Sequence, residues 1–186
     1  NIIIYFLFLF IILITTNCSD NKNIYSKDET VSFSSTSRIR GLDPAISGEV
    51  SSSLAISKIY EGLLQYDYLQ RPYKVIPLLA DSLPKISPDG LIYTFTIRPG
   101  IYFQDDPCFK NGIGRELVAE DFVYSIKRVA DVKNNSSGFW AFNNRILGIN
   151  EFRKHSLASD VTDYNYPVEG LIALDKYTLQ IKLTSP

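Results

Sequence analysis

Histidine and acidic side chains are the groups in this sequence best suited to catalysis or metal binding. His155 is the single histidine, so a His-rich metal site is excluded and a Ser-His-Asp triad would depend wholly on it. The acidic pairs Asp105-Asp106 and Glu120-Asp121 are adjacent in sequence, and adjacent side chains point apart on a strand or a helix. Turn formation and the charge preference of a helix N-terminus explain these pairs better. We therefore expect no enzyme, no metal and no cofactor.

The sequence also contains little that would indicate binding of phosphate groups or nucleic acid. Gly112-Ile113-Gly114 lacks the remainder of a dinucleotide-binding fingerprint and is expected to be a loop. The net charge is −1 and the pI about 5.9, so there is no basic field to collect a polyanion. With 186 residues that are 45% hydrophobic, the chain is long and apolar enough to form a globular core. These features exclude nucleic-acid binding.

Aromatic residues offer the clearest candidate for non-covalent recognition. The run SSGFWAF places Phe139, Trp140 and Phe142 directly after a polar loop. Such rings can line a ligand cleft, where they present flat apolar area and the indole adds a donor. They can also fill the core of a small subdomain, and we expect this core role over the cleft role.

The N-terminal region resembles an export signal. Every residue from Ile2 to Ile14 is apolar or aromatic, which is shorter than the roughly 20 residues of a spanning helix but typical of a signal-peptide core. The following LITTNC is similar to a lipobox that ends at Cys18. We therefore predict a signal peptide over 1–17 and a lipidated tether over 18–30. An ordinary secretory signal, or an anchor with an incidental cysteine, is the alternative.

The second cysteine and the chain ends carry further expectations. If Cys18 is acylated, Cys108 is a small buried hydrophobe or a free thiol. A Cys18–Cys108 disulfide is the less favoured alternative. The first residue is Asn1 and the sequence stops at Pro186 as a strand ends, so we expect a fragment of a longer protein.

Residues that alternate between apolar and polar predict several strands. A half-buried strand is expected within 31–40, and a second after the turn SPDG at 87–90, with Tyr93, Phe95 and Ile97 on one side. Near the end, GLIAL at 170–174 and the alternating apolar residues of 177–183 predict a hairpin.

Helical spacing predicts two helices. The first is amphipathic and runs from about Val50 to Leu64, after which 76–84 is a Pro-bounded connection. The second covers 119–131, begins with acidic residues, ends with basic ones and turns Phe122, Ile126 and Val129 to one face. Hairpins together with separate helices indicate the α+β class.

Several motifs, and the order in which they occur, resemble those of a known protein family. RGLDP, KIYEGLLQYD, LLADSLPKISPDGLIYTFTIRPGIYFQDD and above all GRELVAEDFVYSIKRVAD are similar to the family 5 extracellular solute-binding proteins of ABC transporters, the oligopeptide- and dipeptide-binding group. The resemblance runs from about Arg40 to the last residue. It implies part of a two-lobed, type II-like periplasmic-binding-protein fold, with 31–45 as the first segment of lobe one, 46–186 as its small α+β subdomain, and a second lobe missing.

The resemblance also implies where a ligand would bind. In peptide-binding relatives the segment after LDP runs beside the ligand as an added strand, and an aromatic ring covers the ligand shortly after the RVAD helix. The residues of this sequence at those places are Ser47, Gly48, Glu49, Val50 and Ser51, with Trp140 first and Phe139 second as the aromatic.

The function that follows from the resemblance is capture without chemistry. We expect a monomeric, lipid-anchored substrate-binding component of an ABC importer in the periplasm or cell envelope, which takes an oligopeptide or dipeptide to permease and ATPase subunits. Its alternatives are the same fold with a non-peptide solute such as an oligosaccharide, opine or metal chelate, a lipoprotein adhesin or envelope protein, and a secreted hydrolase.

Overall fold

Alternating apolar residues build a four-stranded antiparallel sheet, the main sheet of the computed structural model, which describes residues 37–186. Its strands are β3 (Lys85–Ile86), β4 (Ile92–Thr96), β5 (Leu171–Asp175) and β6 (Thr178–Lys182), in the order β3-β4-β6-β5. Phe95 of β4 lies opposite Leu179 of β6, and both are buried. The predicted second strand and the predicted C-terminal hairpin are confirmed.

The predicted SPDG turn joins β3 to β4. Gly90 has φ 72° and its N–H donates to Ser87 O over 2.9 Å. Asp89 Oδ1 accepts from Leu91 N at 3.0 Å, which completes the turn and fixes the start of β4.

A short helix and a two-stranded sheet precede the main sheet, and both differ from the prediction. Helix α1 covers Val50–Ile56 only, whereas β1 (Leu64–Tyr66) and β2 (Val75–Pro77) form a separate antiparallel pair. The prediction of a helix to Leu64 is wrong, and part of the predicted connection 76–84 is strand. Ile59 is 58% exposed, so its helical spacing reflects no buried face.

The backbone explains why α1 stops early. Three consecutive serines occupy its first turns, and serine favours helix ends over helix interiors. Ser57 Oγ donates to Leu54 O at 2.8 Å and closes the last turn. Leu63 is instead committed to β-type bonding, because its carbonyl accepts from Leu78 N and Ala80 N, each at 3.0 Å.

Helix α2 (Ala119–Ala130) confirms the second predicted helix and packs on β5 and β6. The innermost face carries Ala119, Val123 and Ala130, whereas the predicted face of Phe122, Ile126 and Val129 is only half-buried. Small side chains allow the closest approach to the sheet, so the larger ones flank that contact. At the N-terminus, Asp121 Oδ2 accepts from Val118 N at 2.8 Å.

Helix α3 (Ile149–Ala158) packs against α2 and contributes to the same core. Phe152, Ile149, Ile97 and Leu179 are fully buried there. Three short 3₁₀ helices, Lys110–Gly112, Val132–Asn134 and Ser137–Ala141, link the larger elements. The described residues are of the α+β class, as predicted.

Several predictions of the sequence fall outside the described residues. They concern the signal peptide at 1–17, Cys18 and the tether at 18–30, and the part of the 31–40 strand that holds Val31 and Phe33. Residues 37–40 are described and do not form a strand. Within 37–186 no helix is both apolar and long enough to cross a bilayer.

A glycine fixes the junction between the main sheet and the loop before α3. Gly170 N donates a hydrogen bond to Leu147 O at 2.7 Å, and Gly170 O accepts one from Lys182 N at 2.8 Å. A Cβ at this position would lie 2.5 Å from Lys182 O and 2.7 Å from Leu147 N. Backbone atoms surround the site, so no side-chain movement would relieve the overlap.

We predict that Gly170→Ala lowers the free energy of unfolding by at least about 2 kcal/mol, because backbone must shift to admit the methyl group. Gly41→Ala is the matched control, since a Cβ at Gly41 meets nothing within 4 Å. We expect the control to stay within about 0.5 kcal/mol. Urea unfolding followed by circular dichroism measures both, and equal stability of the two variants would contradict the packing described.

Candidate ligand-binding site

A turn led by Asp43 presents the segment predicted to contact ligand. Ala45 N donates to Asp43 Oδ1 at 3.0 Å, and Ser47 N donates to Asp43 O at 3.1 Å. The side chain and carbonyl of Asp43 thus close a compact turn of the Asx type. Ala45 of this turn is buried and Ser47 after it is half-buried.

The predicted strand-like course of 47–51 does not extend over Val50 and Ser51. Glu49 is extended, with φ −113° and ψ 154°, but Val50 and Ser51 begin α1. Helical residues direct their main-chain groups along the helix axis, so the added-strand geometry is wrong at Val50 and Ser51. Contact of these residues with a ligand stays a prediction.

A bidentate ion pair ties this turn to α2. Arg128 Nη1 and Nη2 lie 3.0 Å from Asp43 Oδ1 and 2.6 Å from Asp43 Oδ2. The two side chains are about one-third exposed. Hydrogen bonds from the Arg128 guanidinium hold the pKa of Asp43 below its ordinary value, against the opposing effect of burial. The planar fork of arginine therefore sets both the position and the orientation of the turn.

Glu49 is also held in place by neighbouring groups. Its Oε1 accepts from Ser52 Oγ and from Arg40 N, the latter at 3.3 Å. Ser52 is fully buried and accepts in turn from Arg40 N at 3.0 Å. The Ser52 hydrogen bond is the main reason that the pKa of Glu49 is lowered. The carboxylate is thus ionised and fixed beside α1.

The two groups of predicted ligand residues meet where Gly48 approaches Ser137. A Cβ at Gly48 would lie 2.6 Å from Ser137 Oγ and 3.3 Å from Ser137 Cβ. Ser137 begins the 3₁₀ helix Ser137–Ala141, which carries Phe139 and Trp140. The structure therefore brings the Ser47–Ser51 segment next to the aromatic segment, as a shared binding surface requires.

The aromatic residues divide between the core and the surface. Phe139 is 8% exposed, belongs to the core, and has the Arg153 guanidinium 4.2 Å from its ring centre. Trp140 is 74% exposed. Phe139 therefore has the predicted core role, whereas the indole of Trp140 is exposed to solvent. Phe142 is half-buried.

Buried polar groups hold the loop that leads to Trp140. Asp131 accepts from Lys133 N at 3.0 Å and from Tyr164 Oη at 2.8 Å. Burial pushes the pKa of Asp131 up, but these hydrogen bonds outweigh it and leave the pKa below its usual value. Burial, with the Asp131 contact, raises the pKa of Tyr164 to about 12. Lys127 Nζ donates to Tyr164 O at 2.9 Å, so Tyr164 is hydrogen-bonded both to α2 and to Asp131 at the start of this loop.

An apolar groove lies between the sheet and the residues that follow Trp140, and nothing in the sequence marks it as a site. Its volume is about 640 Å³, and its walls include Tyr93, Phe142, Ile181 and Leu183. The alternation in β4 and β6 predicts that the strand side chains among these share a face. It does not predict that the face stays partly open.

The residues first considered for chemistry have structural roles. His155 stacks on Tyr166, with ring centres 4.1 Å apart. Asp105 Oδ1 accepts from Gly114 N and Asp106 Oδ1 from Cys108 N, each at 2.9 Å. Between 37 and 186 no group of three or more His, Cys, Asp and Glu residues is placed to hold a metal. Cys108 is exposed, so its alternative as a small buried hydrophobe is wrong.

Comparison with known proteins identifies the family to which this fold belongs. The sequence model described as bacterial extracellular solute-binding proteins, family 5 Middle, matches residues 74–186. The chain belongs to this family, which confirms the resemblance seen in its motifs.

Individual relatives agree. The oligopeptide-binding protein AmiA of Streptococcus pneumoniae is 30% identical over 171 residues, which are 91% of this chain and 24% of AmiA. The periplasmic oligopeptide-binding protein OppA of Escherichia coli is 28% identical over 163 residues, 87% of this chain and 26% of OppA. The chain thus spans about a quarter of the length of these curated relatives.

Solved structures show the same fold. The periplasmic binding protein DppA from Helicobacter pylori, in complex with the peptide STSA, superposes with a TM-score of 0.56 at 28% identity. The superposition covers 78% of this chain and 25% of DppA. The predicted periplasmic-binding-protein architecture is therefore confirmed for the described part of the chain, while the boundary at 45/46 stays a prediction.

We predict that Asp43→Asn lowers the free energy of unfolding at pH 7 by about 1 kcal/mol, since a charged, partly exposed hydrogen-bonded pair is lost. The pKa of Asp43 is depressed in the folded protein, so the pair contributes fully above the unfolded pKa of about 3.9 and is lost as the pH falls through the folded value. The difference between wild type and variant should shrink below about pH 4.

Urea unfolding at pH 7 and pH 3 tests this expectation. The asparagine side chain of the variant keeps an acceptor for Ala45 N, so the comparison isolates the Arg128 pair. Asp160→Asn, at an exposed carboxylate, is the control and should change stability little at either pH. A pH-independent loss in Asp43→Asn would contradict the role given to the ion pair.

Proposed function

We propose that this chain is part of the substrate-binding component of an ABC importer, which captures peptides outside the cytoplasmic membrane and delivers them to permease and ATPase subunits. Family membership supports this function, as do the oligopeptide-binding relatives AmiA and OppA and the peptide complex of DppA. The observation that supports it is the approach of Gly48 to Ser137, the first residue of the 3₁₀ helix that carries the exposed Trp140.

The arrangement suits capture by closure. In this proposal the described residues 37–186 supply one wall, and a second lobe of the complete protein supplies the other. Ser47, Gly48 and Glu49 offer main-chain groups to an extended ligand, and Trp140 offers flat apolar area. Ligand affinity then supplies the bias toward the closed state, because the ligand contacts both walls only there. No bond of the ligand is broken, so the protein is not an enzyme.

A lipid on Cys18 is the proposed means of retention at the membrane. The segment 18–30 then acts as a polar tether between the anchor and the folded residues. A single acyl chain gives reversible membrane binding, whereas several chains on one residue give a stable anchor. This location places the capture step next to the permease.

We predict that the complete gene product binds peptides and that Trp140→Ala weakens this binding about tenfold, since a stacked aromatic anchor is lost. Calorimetry with a peptide pool identified by mass spectrometry of copurifying ligands provides the measurement. Tyr68→Ala, at an aromatic residue 86% exposed on the β1–β2 loop, is the matched control and should bind normally. Absence of any bound peptide, or an equal loss in both variants, would contradict the proposal.

For the anchor, we expect Cys18→Ser to abolish metabolic labelling with palmitate and to move the protein from the membrane fraction to the soluble one, because the acylated sulfur is removed. Cys108→Ser is the control and should retain both label and location. If wild type carries no label, lipid anchoring is refuted while peptide capture stands.

A further inference from the structure

The β1–β2 hairpin ends in a loop whose largest apolar side chains are exposed to solvent. The loop covers 67–74 and is called the hairpin tip together with Tyr66. Among the large apolar and aromatic residues of 37–186, Tyr68 and Leu69 are the most exposed, each at 86%. Tyr66 and Tyr73 are two-thirds exposed, and their ring centres lie 5.7 Å apart. Single exposed apolar residues are ordinary, but several large ones on one loop indicate an interaction site.

The main chain of the hairpin tip is hydrogen-bonded within the tip itself. Arg71 Nη1 donates to Tyr68 O at 3.1 Å and to Gln70 O at 2.8 Å. Leu69 N donates to Asp67 Oδ1 at 2.9 Å. Main-chain groups that lack a partner make entry into an apolar medium costly. Because these groups are paired inside the loop, the tip can leave water at a lower cost than an ordinary solvated loop.

The charges of the hairpin tip suit an anionic surface. The tip carries two cations, Arg71 and Lys74, and a single carboxylate, Asp67, which already accepts from Leu69 N. The Arg71 guanidinium lies 4.3 Å from the centre of the Tyr73 ring, so one cation is held against an aromatic side chain. Aromatic rings, leucine and basic residues together are typical of segments that bind at the interface of a bilayer.

A bilayer fits this surface better than a folded partner does. A specific protein interface buries about 800 Å² on each partner and requires a complementary shape. The end of one hairpin offers only a few side chains, which is too little for such an interface. Lipids rearrange around inserted side chains, and anionic headgroups attract nearby cations, so a small patch is sufficient for a membrane contact.

We infer that the hairpin tip is a membrane-contact site, which inserts Tyr68 and Leu69 into the headgroup region of a bilayer and holds Arg71 and Lys74 against anionic phospholipid. This inference goes beyond peptide capture and does not depend on a lipid at Cys18. The contact is peripheral, since only the end of one hairpin enters the interface. It determines which part of the folded chain faces the membrane.

Vesicle binding tests this inference in the complete gene product beginning at Ser19, because the apolar segment 2–14 and an acylated Cys18 would bind vesicles by themselves. This parent protein is mixed with vesicles of equimolar phosphatidylglycerol and phosphatidylcholine, or of phosphatidylcholine alone. Co-sedimentation measures the bound fraction. We expect the parent protein to bind the mixed vesicles more tightly than the neutral ones, because the tip carries more cations than carboxylates.

Variants of the tip separate its apolar and charged contributions. Tyr68→Ser/Leu69→Ser should bind the mixed vesicles about tenfold more weakly, since two inserted side chains are lost. Lys74→Gln should bind them about fivefold more weakly and bind the neutral vesicles like the parent. Leu157→Ser/Val161→Ser is the matched control, since both side chains are roughly three-quarters exposed but lie at and beyond the end of α3. It should bind like the parent.

A gain of binding excludes an explanation by misfolding. Tyr68→Trp should bind the vesicles about threefold more tightly, because an indole favours the interface more than a phenol does. Absence of parent binding to the mixed vesicles, unchanged binding in the Tyr68/Leu69 variant, or an equal loss in the Leu157/Val161 variant would overturn the inference.

Peptide affinity, measured by calorimetry, should equal that of the parent protein in each of these variants. A failure of vesicle binding with peptide binding intact therefore refutes the membrane contact and leaves the proposed function standing. A parent protein that binds vesicles through the tip but binds no peptide gives the opposite result, which refutes the proposed function and supports the membrane contact.

Discussion

Close packing of α2 on β5 and β6 is the constraint on which the rest of the described structure depends. Ala119, Val123 and Ala130 form the inner face of α2, and their small volumes let the helix lie near the sheet. This position decides where the polar residues of the last turn point. Arg128 reaches the Asp43 turn and Lys127 reaches Tyr164 O. A helix displaced outward by larger side chains would lose both connections.

Polar contacts, and not apolar area, therefore define the candidate site. The Asp43 turn, the fixed Glu49 carboxylate and the Asp131–Tyr164 bond each determine the course of a loop. Loops carry few apolar contacts of their own, so hydrogen bonds to charged groups give them order. The rigid backbone that results spares a ligand part of the entropy cost of ordering its binding site.

Elements with a strong sequence period were predictable from the sequence. Short elements, and contacts between residues far apart in the chain, were not. The β5–β6 hairpin and α2 repeat one pattern over many residues, and Asp175 turns the hairpin by accepting from Tyr177 N at 2.8 Å. Helix α1 is too short to show a pattern, so the helical spacing of Ile59 and Leu63 relative to it arises by chance. The Arg128–Asp43 pair spans 85 residues, and no local rule connects such distant positions. Phe139 and Trp140 are adjacent and chemically alike, so only the tertiary structure separates the core residue from the exposed one.

The exposure of Trp140 and the unpaired state of Ser47 Oγ point in the same physical direction. The indole of Trp140 leaves apolar area exposed to water, and Ser47 Oγ lacks a hydrogen bond. Each of these costs free energy in the folded chain. In the proposed function, contact of a ligand with this surface gains free energy without a shift of the core. Because α2 already fixes the surrounding backbone, none of that gain is needed to order the site. The gain then favours closure of the proposed second lobe over the solute.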